Sequence, residues 1–542
     1  MRYKQFESQG CKEVEGQVMR RRVERLRGMH DILPEEYQQQ RWIIDGLSAF
    51  LAQAGYATVD APILERSDLF LSSFGQELWQ NLYAFRLHQR ELCLRPEYTA
   101  SICRLYLDHY QQRPLPLRFQ YAGPIFRYEA PGRNRYRQHT QLGVELFGGH
   151  AAAADAEILQ LACDMLQKLH ITQYRLELGH IGVASGFIQR LHLDEQAARL
   201  LLSLMEQISR SVEGERLAQA RLEALYPLNT AGADDIEEAT KDTVSVVESR
   251  FIASLLNGIS ISFGDDANRS EIIERFLWKV GRGEQRRQIL NALDFMRALH
   301  AVSGSPPLVF DELSELLASY ELDEEPLVEL KQLVEIVEQC GVPRQQIMLN
   351  LSLGRGVSYY TGLVFEIHTK DEDGFDAQLC GGGRYDRLMR AVGGSRDIKA
   401  CGFAFGVERL LAQLDKSGLP QAEFTQAMVI PISQSDVPYA LQVARFARSR
   451  GLRIEVDVTG HGVGAGLKLA TKKQMLLAMI VGESEQRTGG VTIRNLQTGE
   501  ESFSPLDSLV LSLTKKEEFD NHPSNAAGAS TYGQDGCKEE SQ

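Results

Sequence analysis

The chain lacks any apolar stretch of about 18 residues or more, so we expect no transmembrane helix and no contact with a membrane. Its first 27 residues are charged and have no apolar centre, which argues against a secretory signal. None of the eight cysteines forms a Cys-x-x-Cys pair, and their spacing predicts neither a zinc site nor a disulfide framework. We therefore expect a protein of the reducing cytoplasm.

The overall charge gives little support for an extended nucleic-acid surface. The net charge is −14 over 542 residues, although a local basic stripe can still hold phosphate groups. Hydrophobic residues make up 43% and charged residues 24% of the chain, which is enough apolar material for buried cores. The length exceeds that of one ordinary domain and predicts two or three.

Shifts in composition divide the chain into four predicted parts. Residues 1–27 form a polar N-terminal extension, and residues 28–415 form a core with a mainly helical insertion at about 190–345. Residues 425–513 alternate short strands and helices and predict a compact α/β module. The polar tail, 514–542, has the composition of a disordered segment.

The core predicts an α+β fold, with an antiparallel sheet and helices rather than a repeating β-α-β array. A helix is predicted from Pro34 to about Ala54, because proline in the first turn and acids after it favour a helix start. Residues 150–345 show apolar spacing near 3.6 and are predicted to be mostly helical. The predicted strands of the core are 57–63, 82–87, 91–94, 117–121, 357–367 and 401–406.

The segment 126–148 predicts two strands joined by a cationic turn. Because side chains alternate along a strand, the second strand presents two different faces. The apolar face carries Leu142, Val144 and Leu146, and the polar face carries Gln141, Gly143 and Glu145. The polar face could be an ordinary solvent-exposed sheet face, but arginines in the turn have the geometry to bind phosphate and favour a ligand site.

Four further segments contain candidate functional residues. Glu97 follows a proline, so it could either cap a helix or hold a substrate amino group. Glycines around Arg355 would let backbone and guanidinium approach a ligand closely. The run 381–383 could clear space for a flat ring beside Tyr385. Arg409 lies in the first turn of a predicted helix, where a cation is unfavourable, which suggests a role beyond helix stability.

Taken together and in this order, these segments resemble the class II aminoacyl-tRNA synthetases, and the histidyl family in particular. Residues 28–34 are similar to that family's opening motif, and Pro62 falls where the first class motif has its proline. Arg127 with 136–138 resembles the second motif, and 406–409 resembles the third. The resemblance implies an antiparallel catalytic sheet flanked by helices, a helical insertion and a C-terminal anticodon-binding-like domain.

The same resemblance implies a cleft that binds ATP, with Mg²⁺, and histidine. The ATP contacts would be Arg127 at the α-phosphate, Arg409 at the γ-phosphate and adenine, and Glu129 and Arg135 nearby. Arg355 would be the catalytic arginine, acting with Arg127 at the α-phosphorus. The histidine contacts would be Glu97 and Thr99 at the α-amino end, Gln141 at the carboxylate side, and Glu145, Tyr359, Tyr360 and Tyr385 around the imidazole.

The implied activity is histidine activation followed by transfer to tRNA(His), in a homodimer formed around the first motif. One alternative rests on residues 178–183, which resemble the paralogue that regulates ATP phosphoribosyltransferase and would have that enzyme's catalytic subunit as its partner. Another is a non-catalytic tRNA sensor that uses the basic segment 460–473. The C-terminal module and the arginines at 127, 355 and 409 favour the enzyme, although Ser358 stands where the family usually has aspartate.

Overall fold

The computed structural model describes residues 23–71, 81–129, 132, 135–191, 201–202, 216, 283–353, 359–370, 373–415, 419–420 and 427–509. The chain divides into two compact units, Met1–Pro420 and Gln421–Gln542. The predicted tail and Arg355 with Ser358 lie outside the described residues. In the part of the chain that is described, no helix is both long and apolar enough to cross a membrane.

The first unit combines helices with one large sheet and one small sheet. Its helices are α1 (Pro34–Gln53), α2 (Asp68–Leu71), α3 (Thr99–His109), α4 (Ala151–Lys168), α5 (Ile181–Arg190), α6 (Gly283–Ala301), α7 (Pro306–Ser319), α8 (Glu325–Gln339), α9 (Leu388–Ala391) and α10 (Val407–Leu411). Its strands are β1 (Ala57–Thr58), β2 (Leu64–Arg66), β3 (Ala84–Leu87), β4 (Arg90–Leu94), β5 (Leu117–Phe126), β6 (Gln138–Phe147), β7 (Arg175–His180), β8 (Ser303–Gly304), β9 (Ile347–Asn350), β10 (Leu363–Lys370), β11 (Asp376–Arg384) and β12 (Ala400–Gly406).

The large sheet has nine strands in the order β1-β5-β6-β12-β11-β10-β7-β9-β8. All of its pairs are antiparallel except β1 with β5 and β7 with β9, and the small sheet has the order β2-β4-β3. The predicted α+β class and the mainly antiparallel sheet are therefore confirmed. Helices predominate among the described residues of 150–345, as predicted, but the prediction missed β7, which lies between β10 and β9. A six-residue strand between long helices is too short to alter the helical periodicity around it.

Helix α1 forms where the sequence predicts it. Its first turn contains Pro34, Glu35 and Glu36, and it ends at Gln53 with Ala54 as the C-cap. The following Gly55 has a φ of +85°, a backbone conformation that glycine adopts without steric cost. The apolar face of α1 is buried in the core shared with the large sheet, through residues spaced one turn apart: Ile43, Leu47 and Leu51.

The second unit is a five-stranded sheet with helices on its faces, as the α/β prediction requires. Its strands are β13 (Ala427–Pro431), β14 (Ile454–Val456), β15 (Leu477–Val481), β16 (Gly490–Asn495) and β17 (Glu501–Pro505), in the order β14-β13-β15-β16-β17. Its helices are α11 (Val437–Ser449), α12 (Val463–Lys472) and α13 (Glu483–Thr488). Side chains alternate along β13, so Val429 packs in the cluster of α11 while Met428 and Ile430 pack in the cluster of α12.

Candidate active site

One face of the large sheet carries a row of residues with little or no side chain. Gly143 on β6 pairs with Ala404 on β12, and Ala404 pairs with Gly381 on β11. The backbone at Gly143 is closely covered, since a Cβ atom there would collide with the carbonyl oxygen of Phe403. The row forms a flat floor, and functional side chains lie around it.

Glu145 is buried on this face and is only 1% exposed. Its carboxylate accepts hydrogen bonds from the hydroxyl of Tyr121, at 3.0 Å, and from the hydroxyl of Tyr385. Burial raises the pKa of Glu145 to about 8, although the hydrogen bonds to it act in the opposite direction. The ring of Tyr359 packs edge-on against Tyr385 at 5.7 Å and lies 4.9 Å from the ring of Tyr360. The four residues predicted to surround the imidazole therefore come together, and Tyr121 joins them.

Glu97 and Thr99 lie beside Glu145, at the start of α3. The carboxylate of Glu97 accepts from the backbone N–H of Thr99 and from that of Ala100, the latter at 2.8 Å. The helix-capping interpretation of Glu97 is therefore confirmed. Burial raises the pKa of Glu97, and its negative charge contributes to the raised pKa of Glu145. Two acids thus share one buried region, where a bound cation would be favoured.

A pocket on the same face is lined mainly by polar and charged residues. Among its lining residues are the predicted Arg127, Glu129, Arg135, Gln141 and Arg409, together with His139 and Gly381. The Arg127 side chain donates from Nε to the carbonyl of Pro96 at 2.9 Å, and Arg409 donates to the carbonyl of Gln378 at 2.7 Å. Burial lowers the pKa of Arg409, and the charges of Arg135 and Arg127 lower it further. An anion in this pocket would relieve that repulsion.

Two polar groups in the pocket, the Glu129 carboxylate and the Gln141 amide oxygen, can accept further hydrogen bonds from a ligand. The Glu129 carboxylate lies 3.9 Å from a guanidinium nitrogen of Arg127 and 3.9 Å from one of Arg135, too far for direct hydrogen bonds. The Oε1 atom of Gln141 is buried and has no hydrogen-bond partner among the residues that the structure describes. Such an acceptor is costly unless a ligand or water supplies a donor.

Residues His139 and Glu408 also belong to the pocket, and sequence reasoning missed both. Burial lowers the pKa of His139 to about 3, with help from Arg127 and Arg409, so the imidazole is neutral. Glu408 accepts from the backbone N–H of Thr140 at 2.9 and 3.0 Å and so ties α10 to β6. His139 could have been predicted from the sequence, because it lies two residues before Gln141 on β6 and therefore shares its face.

The opening motif packs directly on the second motif. The carbonyl of Gly28 accepts from the backbone N–H of Arg137 at 2.8 Å, and the ring of His30 stacks on Tyr136 at 4.1 Å. Gly28 has a φ of +84°, and the side chain of Arg137 covers the space that a Cβ atom would need. This glycine is therefore required by both its backbone and its close contact.

In the glycine-rich segment, Arg384 has a structural position and lines neither the arginine pocket nor the cluster around Glu145. It is 4% exposed and pairs with Asp155 at 2.6 Å and with Asp386 at 3.0 Å. The ion pair between Arg384 and Asp155 joins β11 to α4 on the side of the sheet opposite Glu145. Its neighbour Tyr385 points its hydroxyl to Glu145, so the two adjacent residues serve different parts of the fold.

We predict that Gly402→Ala destabilises the chain and disturbs the buried cluster around Glu145. Gly402 pairs with Glu145 across the sheet, and a Cβ atom there would collide with Oε2 of Glu145 and the carbonyl of Val144. Overpacking of this kind lowers the free energy of unfolding by about 1–3 kcal/mol, measurable by urea denaturation. The matched control is Gly46→Ala in α1, where the space around the Cβ is open and stability should rise slightly. A Gly402→Ala chain as stable as the parent would contradict this packing.

A nine-stranded, mainly antiparallel sheet with an arginine-lined pocket on one face defines the chain as a class II aminoacyl-tRNA synthetase. The family model described as Histidyl-tRNA synthetase matches residues 28–255 and 252–410. A second model, described as Anticodon binding domain, matches residues 426–516. The chain belongs to the histidyl-tRNA synthetase family, and its relatives are aminoacyl-tRNA ligases.

Similar proteins match over almost the whole chain. The histidine--tRNA ligase of Pyrococcus abyssi is 30% identical over 503 residues, which cover 92% of this chain and 100% of the relative. That of Methanococcus maripaludis is 28% identical over 487 residues, covering 89% and 98%. The apo histidyl-tRNA synthetase of S. aureus has a TM-score of 0.56 at 23% identity, covering 91% of this chain and 99% of that one.

A Bacillus halodurans structure described as an ATP phosphoribosyltransferase regulatory subunit/histidyl-tRNA synthetase also has a TM-score of 0.56. It is 21% identical and covers 85% of this chain and 98% of that one. At this level of identity the likeness shows the fold alone and does not separate the two activities.

Proposed function

We propose that the chain is a histidine--tRNA ligase that forms histidyl-adenylate from histidine and ATP and then transfers the histidyl group to tRNA(His). One observation carries the proposal: the buried acid Glu145, ringed by tyrosines, lies on the same sheet face as a pocket lined by Arg127 and Arg409. A buried carboxylate can accept an imidazole N–H, and convergent guanidinium groups suit a triphosphate.

In the first step a carboxylate oxygen of histidine attacks the α-phosphorus of ATP in line, and pyrophosphate leaves. Positioning and charge stabilisation account for most of such a reaction, since the protein performs little covalent chemistry. We assign Arg127 to the α-phosphate and Arg409 to the γ-phosphate and adenine. Arg355, which lies outside the described residues, is the proposed second catalytic arginine.

The histidine contacts follow from the buried groups around Glu145. Glu97 and Thr99 would meet the α-ammonium group, since two acids there favour a cation. Gln141 would donate its side-chain amide N–H to the substrate carboxylate, and its unpartnered Oε1 could accept from the ammonium group. Tyr359, Tyr360 and Tyr385 would enclose the imidazole.

Mg²⁺ belongs to the proposal as the ion that accompanies ATP. No cluster of three or more His, Cys, Asp or Glu side chains able to hold a metal occurs among the residues described here. Mg²⁺ usually keeps several waters and combines one or two carboxylates with substrate phosphates, so a dedicated protein cage is not needed. When bound, the ion would neutralise phosphate charge during pyrophosphate release.

We also propose a homodimer that resides in the cytoplasm. Large apolar side chains are exposed at the start of α1, where Leu33 and Tyr37, four positions apart, are 66% and 57% exposed. Exposed apolar clusters commonly mark protein interfaces, and light scattering at low concentration would measure the mass directly.

Every cysteine that the structure describes is a free thiol, which suits a reducing compartment.

Two assays test the proposed activity. Histidine-dependent exchange of pyrophosphate into ATP measures activation, and charging of tRNA(His) measures transfer. Exchange without charging would remove the second half of the proposal. Histidine binding without exchange would instead favour a regulatory subunit of ATP phosphoribosyltransferase, and charging of tRNA would eliminate that alternative.

A further inference from the structure

A charged cluster continues from the arginine pocket across the same face of the large sheet, and His368 on β10 lies at its centre. The ring Nδ1 of His368 lies 2.6 Å from Oδ2 of Asp376, and Nε2 lies 2.9 Å from Oε2 of Glu366. Both carboxylates are acceptors, so both ring nitrogens must be donors for the two bonds to exist at once. Only the imidazolium form has two N–H donors.

The surroundings of His368 favour that charged form. Burial alone would lower the pKa of His368, but the hydrogen bond to Glu366 and the charges of Glu366, Asp376 and Glu177 outweigh burial and raise it. Arg175 on β7 is a cation within the cluster, where it pairs with Glu177 at 2.7 Å and with Asp376 at 3.3 Å. Arg409 also feels the charge of Glu366, so three carboxylates face two guanidinium groups, and an imidazolium balances the remaining negative charge.

Through Glu366 the cluster reaches the arginine pocket. The second oxygen of Glu366, Oε1, accepts from the side-chain amide of Gln378 at 2.7 Å. The backbone carbonyl of the same Gln378 accepts from Arg409 at 2.7 Å. One residue, Gln378, therefore connects the His368 cluster to the guanidinium proposed to hold ATP.

The backbone at this point depends on such side-chain bonds. The pairing of β10 with β11 shifts between Ile367 and His368, so that Ile367 pairs with Cys380 while His368 pairs with Gln378. Leu379 is the extra residue of a β-bulge, where the regular hydrogen-bond ladder is interrupted. Because the bulge interrupts the ladder, the sheet holds Gln378 less firmly. The hydrogen bond from Gln378 to Glu366 replaces part of the missing restraint.

We propose that His368 is a positioning residue for ATP, whose bridge between Glu366 and Asp376 fixes Gln378 and, through it, the guanidinium of Arg409. The inference rests on the proposed function, because it assigns Arg409 to ATP. In this proposal His368 does not touch ATP and acts through Gln378 and Arg409.

The test uses two variants of the full chain. His368→Gln keeps one donor, and His368→Phe keeps a planar ring without any donor. In histidine-dependent pyrophosphate exchange we expect the KM for ATP to rise roughly tenfold in His368→Phe and less in His368→Gln, since a hydrogen bond to a charged group is lost. The KM for histidine should stay unchanged, because Glu145 and its tyrosines lie outside this cluster. His109→Gln, a change at an exposed histidine, is the matched control.

The pH profile gives a readout that simple loss of packing would not produce. A histidine whose folded pKa is raised carries its second N–H below that pKa and loses it as the pH rises through it. The kcat/KM for ATP of the parent chain should therefore fall on the alkaline side, and this fall should be absent in His368→Phe. Equal KM for ATP and an unchanged pH profile in both variants would overturn the inference.

Failure of the proposed function can be told apart from failure of this inference. Calorimetric titration with ATP alone, without histidine, gives the dissociation constant of the parent and of each variant. A parent that binds ATP but shows no histidine-dependent exchange refutes the proposed function, while weaker ATP binding by His368→Phe still supports the positioning role. A parent and His368→Phe that bind ATP equally well refute the positioning role whatever the exchange assay shows.

Discussion

Replacing Glu145 by glutamine raises the KM for histidine about a hundredfold, because a buried site built to pair with a substrate N–H discriminates strongly when that pairing is lost. The native carboxylate has acceptors on both oxygens, and it already receives the hydroxyls of Tyr121 and Tyr385. An amide turns one of these acceptors into a donor. A tyrosine hydroxyl or the substrate imidazole would then face an N–H group without a partner.

The exchange assay separates this effect from a general loss of activity. The KM for ATP should be unchanged in Glu145→Gln, since the arginine pocket does not use this carboxylate. Glu157→Gln is the matched control, because Glu157 also accepts from a tyrosine, Tyr56 at 2.9 Å, and belongs neither to the arginine pocket nor to the Glu145 cluster. An unchanged KM for histidine in Glu145→Gln would remove Glu145 from the substrate site.

The pKa of Glu145 adds a pH dependence of known sign. Burial raises it to about 8, so protonation of this carboxyl competes with its ionised form at a higher pH than in an ordinary glutamate. The ionised form, which accepts on both oxygens, grows as the pH rises towards that value. The kcat/KM for histidine should therefore rise between pH 7 and 8 in the parent chain, and Glu145→Gln should not show this rise.

The alternation of β6 was enough to predict which residues face the core. Leu142, Val144 and Leu146 are at most 1% exposed, and Glu145 lies on the opposite face as expected. The sequence left open whether that face is wet, and the structure buries Glu145 as well. The partners that bury it are remote in the chain: Tyr121 is 24 residues away and Tyr385 is 240 residues away. Local periodicity contains no information about such contacts.

The order of motifs predicted which arginines could share a pocket, and the structure brings Arg127 and Arg409 into one. The order of motifs could not predict His368, which precedes a polar stretch that looks like an ordinary exposed turn. That residue gains its importance from a bulge and from a partner strand, β7, which the helical periodicity around it concealed. Alternation therefore predicted the faces of β6, and the family resemblance predicted which remote residues meet, but neither indicated His368, which pairing between strands defines.

Removing the charge of Arg409 should lower the kcat/KM for ATP by about a hundredfold or more, because a preorganised cation at a developing or transferred phosphate is worth several kcal/mol. Arg409→Met keeps most of the side-chain volume and removes the guanidinium. Its KM for histidine should stay at the parent value. Arg494→Met in the second unit, where a half-buried arginine pairs with Glu501 at 3.1 Å, is the matched control, since exchange does not require tRNA.

The thermal stability of the Arg409→Met chain gives a second and sharper test. Burial and the charges of Arg135 and Arg127 lower the pKa of Arg409, so its charge is unfavourable until an anion enters the pocket. We therefore expect the ligand-free Arg409→Met chain to melt at the parent temperature or above it, while the rise in melting temperature produced by ATP is largely lost. A variant that melts well below the parent and keeps its response to ATP would show that Arg409 supports the fold, and the triphosphate would then have to bind elsewhere.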